Sequence, residues 1–157
     1  MNRRDLMVTG ISAGLALAVG SRDAEAQAKK APAPKKMPPK MDPKAALLAA
    51  LQTCLAKALA CEAHCATQLA SGDKSFARCA AAVRDTIAVG RATETLVATS
   101  SASAKKLVAV CAAVCKECSD ACLEHKAHWA HGMHVECKAC MESCEACITA
   151  CNAYVAA

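Results

Sequence analysis

Aromatic side chains are almost missing from this 157-residue chain: Phe76, Trp129 and Tyr154 are the only three. A core without aromatic bulk has to come from closely packed helices with small residues between them. Alanine and cysteine, both abundant, supply those residues. No stretch alternates apolar and polar residues as a half-buried strand would, which argues against a sheet. A basic body is missing too. The formal net charge is +5, but Lys29, Lys30, Lys35, Lys36, Lys40 and Lys44 cluster in and beside an N-terminal tail, and Arg3, Arg4 and Arg22 lie before it. The remaining charges roughly balance, so a nucleic-acid partner is not expected. There is no inward cluster of carboxylates of the kind a di-iron bundle needs. Glu117, Glu124, Glu136, Glu142 and Glu145 fall beside or away from the cysteine stripes and read as a solvated face. No isolated Cys/His pair stands out as a nucleophile with its base. These absences point away from an enzyme.

What the chain has is thiols. Thirteen residues are cysteine. Nine of them lie within residues 111–151, at 111, 115, 118, 122, 137, 140, 144, 147 and 151. The gaps within each half are threes and fours, the spacing of one helix face. At 100° per residue, Cys111, Cys115, Cys118 and Cys122 span about 60°, and Cys137 to Cys151 about 80°. Neighbours at i,i+3 and i,i+4 hold their Cβ atoms roughly 5–6 Å apart. A disulfide wants about 3.8 Å. A pair on one helix is therefore badly placed for an S–S bond and well placed to share a soft metal ion.

In chain order, residues 1–26 have the form of an export signal. Asn2-Arg3-Arg4-Asp5-Leu6-Met7 resembles a twin-arginine motif, a weakly apolar run follows, and Ala24-Glu25-Ala26 offers a small-x-small cleavage pattern. The apolar run is too short and polar for a comfortable membrane span of about 20 residues, so the mature chain is expected to have none. Residues 27–41, rich in Pro and Lys, read as a solvated lead-in whose Met37 and Met41 are linker residues, with soft ligands that feed metal to the bundle as the alternative. From residue 42 to 157 four helices are expected. The first starts at an Asp42 cap with Pro43 in the first turn and ends before Gly72. It carries Leu47, Leu51, Cys54, Ala58, Cys61 and Cys65 on its inner face. The second follows an Asp73 cap and runs to about residue 99, burying Phe76, Cys79, Val83, Ile87, Leu96 and Val97. After a turn with a serine cap, the third covers residues 104–130 and stops at Gly132. The fourth covers residues 134–155. Short turns between helices of similar length predict an all-α fold, an antiparallel up-down four-helix bundle with a Cys-lined core. Cys65, Cys79, Cys122 and Cys137 should meet at one end, and Cys54, Cys111 and Cys151 should lie toward the other.

Thiolates select Cu(I), zinc or iron–sulfur clusters. Zinc wants closed four-ligand sites, and the CxxC pairs here are embedded in longer helical stripes. The bacterial ferredoxin spacing is missing. Cu(I) accepts two or three thiolates and lets each bridge two ions, which suits a continuous stripe. A zinc-binding bundle, or a structural or redox bundle stabilised by disulfides in an oxidising compartment, is the alternative.

The CxxxC pairs Cys61/Cys65, Cys111/Cys115, Cys118/Cys122, Cys140/Cys144 and Cys147/Cys151, together with the four-helix pattern over roughly residues 43–157, resemble the bacterial copper storage proteins. Their exported branch also has a twin-arginine signal. The resemblance implies storage of many Cu(I) ions inside each bundle, with assembly as a homotetramer. By that reading the metal ligands are Cys54, Cys61, Cys65, Cys79, Cys111, Cys115, Cys118, Cys122, Cys137, Cys140, Cys144, Cys147 and Cys151. The protein would be periplasmic or associated with internal membranes, buffering copper or supplying exported cuproenzymes or chaperones. The segment from His125 to His134 lies at the turn between the third and fourth helices. His125, Met133, His134 and Met141 are candidate residues for admitting metal there, because imidazole and thioether hold copper more loosely than thiolate. His64 is off the thiol stripe and ranks below His125.

Overall fold

The computed structural model describes residues 41–157, and the expected signal and lead-in lie outside them apart from Met41. Four long helices make up the described residues: α1 (Pro43–Ala70), α2 (Ala77–Ala98), α3 (Ala104–Leu123) and α4 (Val135–Ala156). No strand occurs among the described residues. α1 packs on α2 and α4, and α3 closes the ring by packing on both of them as well. Lys44, at the start of α1, donates to Ala98 O at the end of α2 (3.0 Å). Lys105, at the start of α3, reaches Val155 O at the end of α4 (3.4 Å). α1 alone among the described helices is long and apolar enough to cross a membrane. Its buried residues, from Leu47 to Cys65, face its neighbours, which is the arrangement of a core helix.

The start of α1 follows its sequence. Asp42 Oδ2 accepts from the Ala45 N–H (3.2 Å), and Pro43 takes a position that needs no N–H. Asp73, however, caps a 3₁₀ turn (Lys74–Phe76) rather than α2 itself, accepting from the Ser75 N–H (3.0 Å). That turn carries Phe76 inward, where it is buried. No serine side chain caps α3 directly. Ser101 Oγ instead accepts from the Ser103 N–H one turn earlier (3.2 Å).

The third helix is shorter than its sequence suggests. It ends at Leu123, and a 3₁₀ segment (Lys126–His131) follows. Bonds from His125 N–H to Cys122 O and from His128 N–H to His125 O, both 3.1 Å, tighten the chain there. The cause is tertiary. The His125 ring stacks flat on Phe76 (centroids 4.0 Å apart, planes 4° apart), which holds the chain against the end of the bundle. Gly132, in the left-handed region at φ 70°, then ends the segment where a side chain would be strained.

Gly90 sets the approach of α2 to α1. A Cβ there would sit 3.0 Å from Leu55 Cδ2. The buried face of α2 also includes Thr86 and Thr93, which hydrophobic periodicity passes over. Their hydroxyls are satisfied: Thr86 Oγ1 lies 3.0 Å from Ala82 O and 3.2 Å from Val114 O on α3, and Thr93 Oγ1 donates to Val89 O (2.8 Å). Leu96, expected inside, is only partly buried.

Candidate metal-binding core

All thirteen cysteines are buried, and all are free thiols. Each belongs to at least one cluster whose sulfurs lie within 4.8 Å of one another. Cys61, Cys65, Cys79 and Cys137 form a group of four, and Cys61 belongs as well to a group with Cys122 and Cys140. Cys118, Cys140 and Cys144 make the next, Cys54, Cys115 and Cys144 the one after, and Cys111, Cys147 and Cys151 the last. Because Cys61, Cys140 and Cys144 are each shared by two groups, four of the five groups join into one chain of sulfurs.

Contacts between helices are as short as those within one. Cys79 and Cys122 are 3.6 Å apart, Cys118 and Cys140 3.7 Å, and Cys54 and Cys144 3.8 Å. The intrahelical pair Cys61 and Cys65 is 4.0 Å apart. Helical spacing points the stripes of α1, α3 and α4 at the axis, and α2 adds the single Cys79. The meeting of Cys65, Cys79 and Cys137 at one end follows the sequence reading. Away from that end, Cys54 groups with Cys115 and Cys144, and Cys111 with Cys147 and Cys151. Leu47, Leu51, Val97, Ala104 and Val108 are buried nearer the start of α1.

The thiols perturb one another's acidity. The neighbouring Cys122 thiol above all holds Cys79 and Cys137 down, at about 5 and about 4. Cys111 and Cys54 are lowered chiefly by Cys115, and Cys140 by Cys118. Other thiols move the other way. Cys122, Cys144 and Cys147 are raised, and Cys151 is pushed up to about 12, chiefly by its contact with Cys111. Lowered and raised thiols lie in contact, and sharing protons in this way spares the buried core a full set of negative charges. A bound soft ion would displace the shared protons.

At the other end, by the α1–α2 and α3–α4 connections, sits a group of imidazoles around Phe76. His125 is buried, and its Nε2 has no hydrogen-bond partner among the described residues. His64, ranked low on sequence, reaches His134: its Nε2 is 3.0 Å from His134 Nδ1, and its Nδ1 is 3.5 Å from Glu136. Glu136 is therefore a half-buried partner, not part of a fully solvated face. Met141 is buried and Met133 exposed, while His128 and His131 are exposed. The signal that could have found His64 is its place three residues after Cys61, at the edge of the thiol stripe.

The profile of the copper storage protein family matches residues 41–156. The chain belongs to that family. Two solved structures resemble the bundle. One shows copper loading to a cytosolic copper storage protein from Streptomyces lividans with five coppers; at 25% identity and a TM-score of 0.63, it matches 73% of this chain and 93% of that one. The other is the copper storage protein Ccsp of the same organism loaded with 10 copper equivalents, with the same identity, TM-score and share of this chain, and 84% of its own. A comparison with curated proteins finds no match. Family membership, a helical bundle and a core of neighbouring cysteines together support copper binding and a storage role rather than a catalytic one.

Proposed function

We propose that this protein reversibly stores many Cu(I) ions as thiolate complexes inside a four-helix bundle of antiparallel, up-down course, with all thirteen cysteines as ligands. The observation that carries the proposal is the overlap of the thiol groups. A sulfur shared by two groups can bridge two ions, and Cu(I) is the soft ion that accepts two or three such ligands. The up-down course is supported by Lys44 meeting the end of α2 and Lys105 meeting the end of α4. Copper would pass the imidazole end, by way of His125 and His134 with Met133 and Met141 nearby, because imidazole and thioether hold copper more loosely than thiolate.

Export is part of the proposal and rests on residues 1–26, with their twin-arginine pattern and small-x-small cleavage site. The exported protein would be periplasmic or held at internal membranes, assemble as a homotetramer, and buffer copper or supply exported cuproenzymes.

An anaerobic titration of Cu(I) into reduced protein, in competition with a Cu(I) chelator, tests the storage reading. Uptake approaching about one ion per thiol is expected if each thiolate bridges two ions. Uptake of one ion or none, with zinc bound at four thiols instead, would overturn it. A thiol count on freshly isolated protein tests the disulfide alternative. Processing in cells with and without the twin-arginine translocase tests export.

A further inference from the structure

All thirteen thiols are buried, so an ion reaches them only when some part of the protein moves aside. We propose that the ring of Phe76 is a gate. Closed, it shuts the outermost thiols off from solvent, and its displacement sets the rate at which metal enters and leaves the bundle. The gate's role for metal rests on the storage reading, but the closure of the thiols by the ring does not.

Phe76 is the only phenylalanine in the chain and the largest fully buried side chain among the described residues. It precedes Cys79 by three residues, which puts it about one helical turn outward of that thiol. His125 follows Cys122 by three residues, His64 follows Cys61 by three, and His134 precedes Cys137 by three, so each stands outward of its thiol in the same way. The four rings form a layer over sulfurs that touch one another: Cys79 lies 3.6 Å from Cys122, and Cys61 lies 3.8 Å from both Cys79 and Cys137. Phe76 is at the centre of the layer, with its centroid 4.0 Å from that of His125, 4.9 Å from His134 and 5.5 Å from His64. It is the one ring of the four with no atom that could hold a metal. What it does there is fill the way in with apolar surface, which excludes water and anything hydrated.

The element that carries Phe76 is suited to moving. It is the three-residue 3₁₀ turn Lys74–Phe76, and Gly72, at φ 93°, lies between it and α1. The side-chain bonds of the turn are local: Asp73 Oδ1 accepts from the Ser75 N–H (3.0 Å) and from Ser75 Oγ (2.6 Å). No side chain caps the start of α2 behind it. A short turn outside the long helices opens more readily than the helices it joins. The contacts of the ring with its three neighbours are then what keeps the gate shut, and one aromatic pair shifts an equilibrium by up to about tenfold.

The test is iodoacetamide labelling of reduced, copper-free protein, quenched over time, with each cysteine followed by peptide mass. Phe76→Leu keeps an apolar side chain and loses the ring contacts. In it Cys65, Cys79, Cys122 and Cys137 should react about tenfold or more faster than in wild type, with Cys111, Cys147 and Cys151 at the wild-type rate. Leu51→Ala, a core truncation at the other end, controls for lost stability and should leave the four outer thiols slow. Unchanged rates at the outer thiols, an equal rise at all thirteen, or the same acceleration in Leu51→Ala overturns the gate. If Phe76→Leu fails to fold, amide exchange in wild type decides: Ser75 and Phe76 should exchange faster than the middle of α2, and equal protection overturns the gate. Transfer of Cu(I) from loaded protein to bicinchoninate then reads the gate on metal. Faster transfer from Phe76→Leu, at an unchanged number of bound ions, is expected, and an equal rate overturns the gate's role for metal. Failure of wild type and variant alike to take up copper would overturn the storage reading and that role with it, while the labelling result stands by itself.

Discussion

Replacing Cys144 should cost more copper than replacing Cys151, although each change removes one buried sulfur. Cys144 belongs to two groups, one with Cys54 and Cys115 and one with Cys118 and Cys140, whereas Cys151 belongs only to the group with Cys111 and Cys147. Cys144→Ala therefore reduces two three-thiol groups to pairs, and Cys151→Ala reduces one. If bridging thiolates hold the ions, the capacity lost is about two ions in the first case and about one in the second. The structural cost is similar for both. Each loses one buried heavy atom, about 1 kcal/mol of burial together with a small cavity, so both variants should fold. Competition titrations under anaerobic conditions, with copper and protein quantified on the same samples, read the difference directly. Equal losses would mean that the thiols act independently, and the argument from shared sulfurs would fail.

Leu51→Ala empties part of the aliphatic end and should destabilise the copper-free protein by about 2–5 kcal/mol, read by urea denaturation, while copper bound per folded chain stays the same; a parallel fall in capacity would show that this end takes part in storage. Copper loading should raise the melting temperature, because an ion that binds only the folded form at a free concentration 100 times its Kd adds about 2.7 kcal/mol; equal melting temperatures for loaded and copper-free protein would contradict binding inside the fold. His134 is held below the usual histidine value of 6.5, first by burial and then by the neighbouring His64. The unfolded chain therefore takes up that proton first, so stability is full above about pH 6.5 and is lost as pH falls toward the folded value. His134→Asn, which tolerates the left-handed backbone, should flatten the fall in urea midpoint between neutral and mildly acidic pH, and an unchanged slope would refute the assignment.

The thiol stripes were legible because period alone places them. Helical spacing of the cysteines on α1, α3 and α4 leaves a side chain little choice of face, and every cysteine, with the single Cys79 of α2, is buried. The end of α3 was not legible. Residues 124–130 contain no Gly or Pro, and nothing local stops a helix there. The helix ends early because His125 lies flat on Phe76, a partner 49 positions away in sequence. His64 escaped for a related reason. On a helical wheel it falls about 80° from the mean of the α1 cysteines, and only the tertiary fold brings His134 and Glu136 to it. Leu47, Leu51 and Val108 are visible in the sequence, but their packing beyond the thiols depends on how far each helix extends past its neighbours.

Thiols gathered in overlapping groups along one axis have an order as well as a number. Filled and emptied through the histidine end alone, such a tube would release its ions in the reverse of the order in which they entered. If copper enters past the histidines, the ions held near Cys65 and Cys79 arrive last and leave first, and those beside Cys111 and Cys151 form a reserve drawn on only when the rest has gone. Copper-63 followed by copper-65 should then come out with the heavier isotope leading.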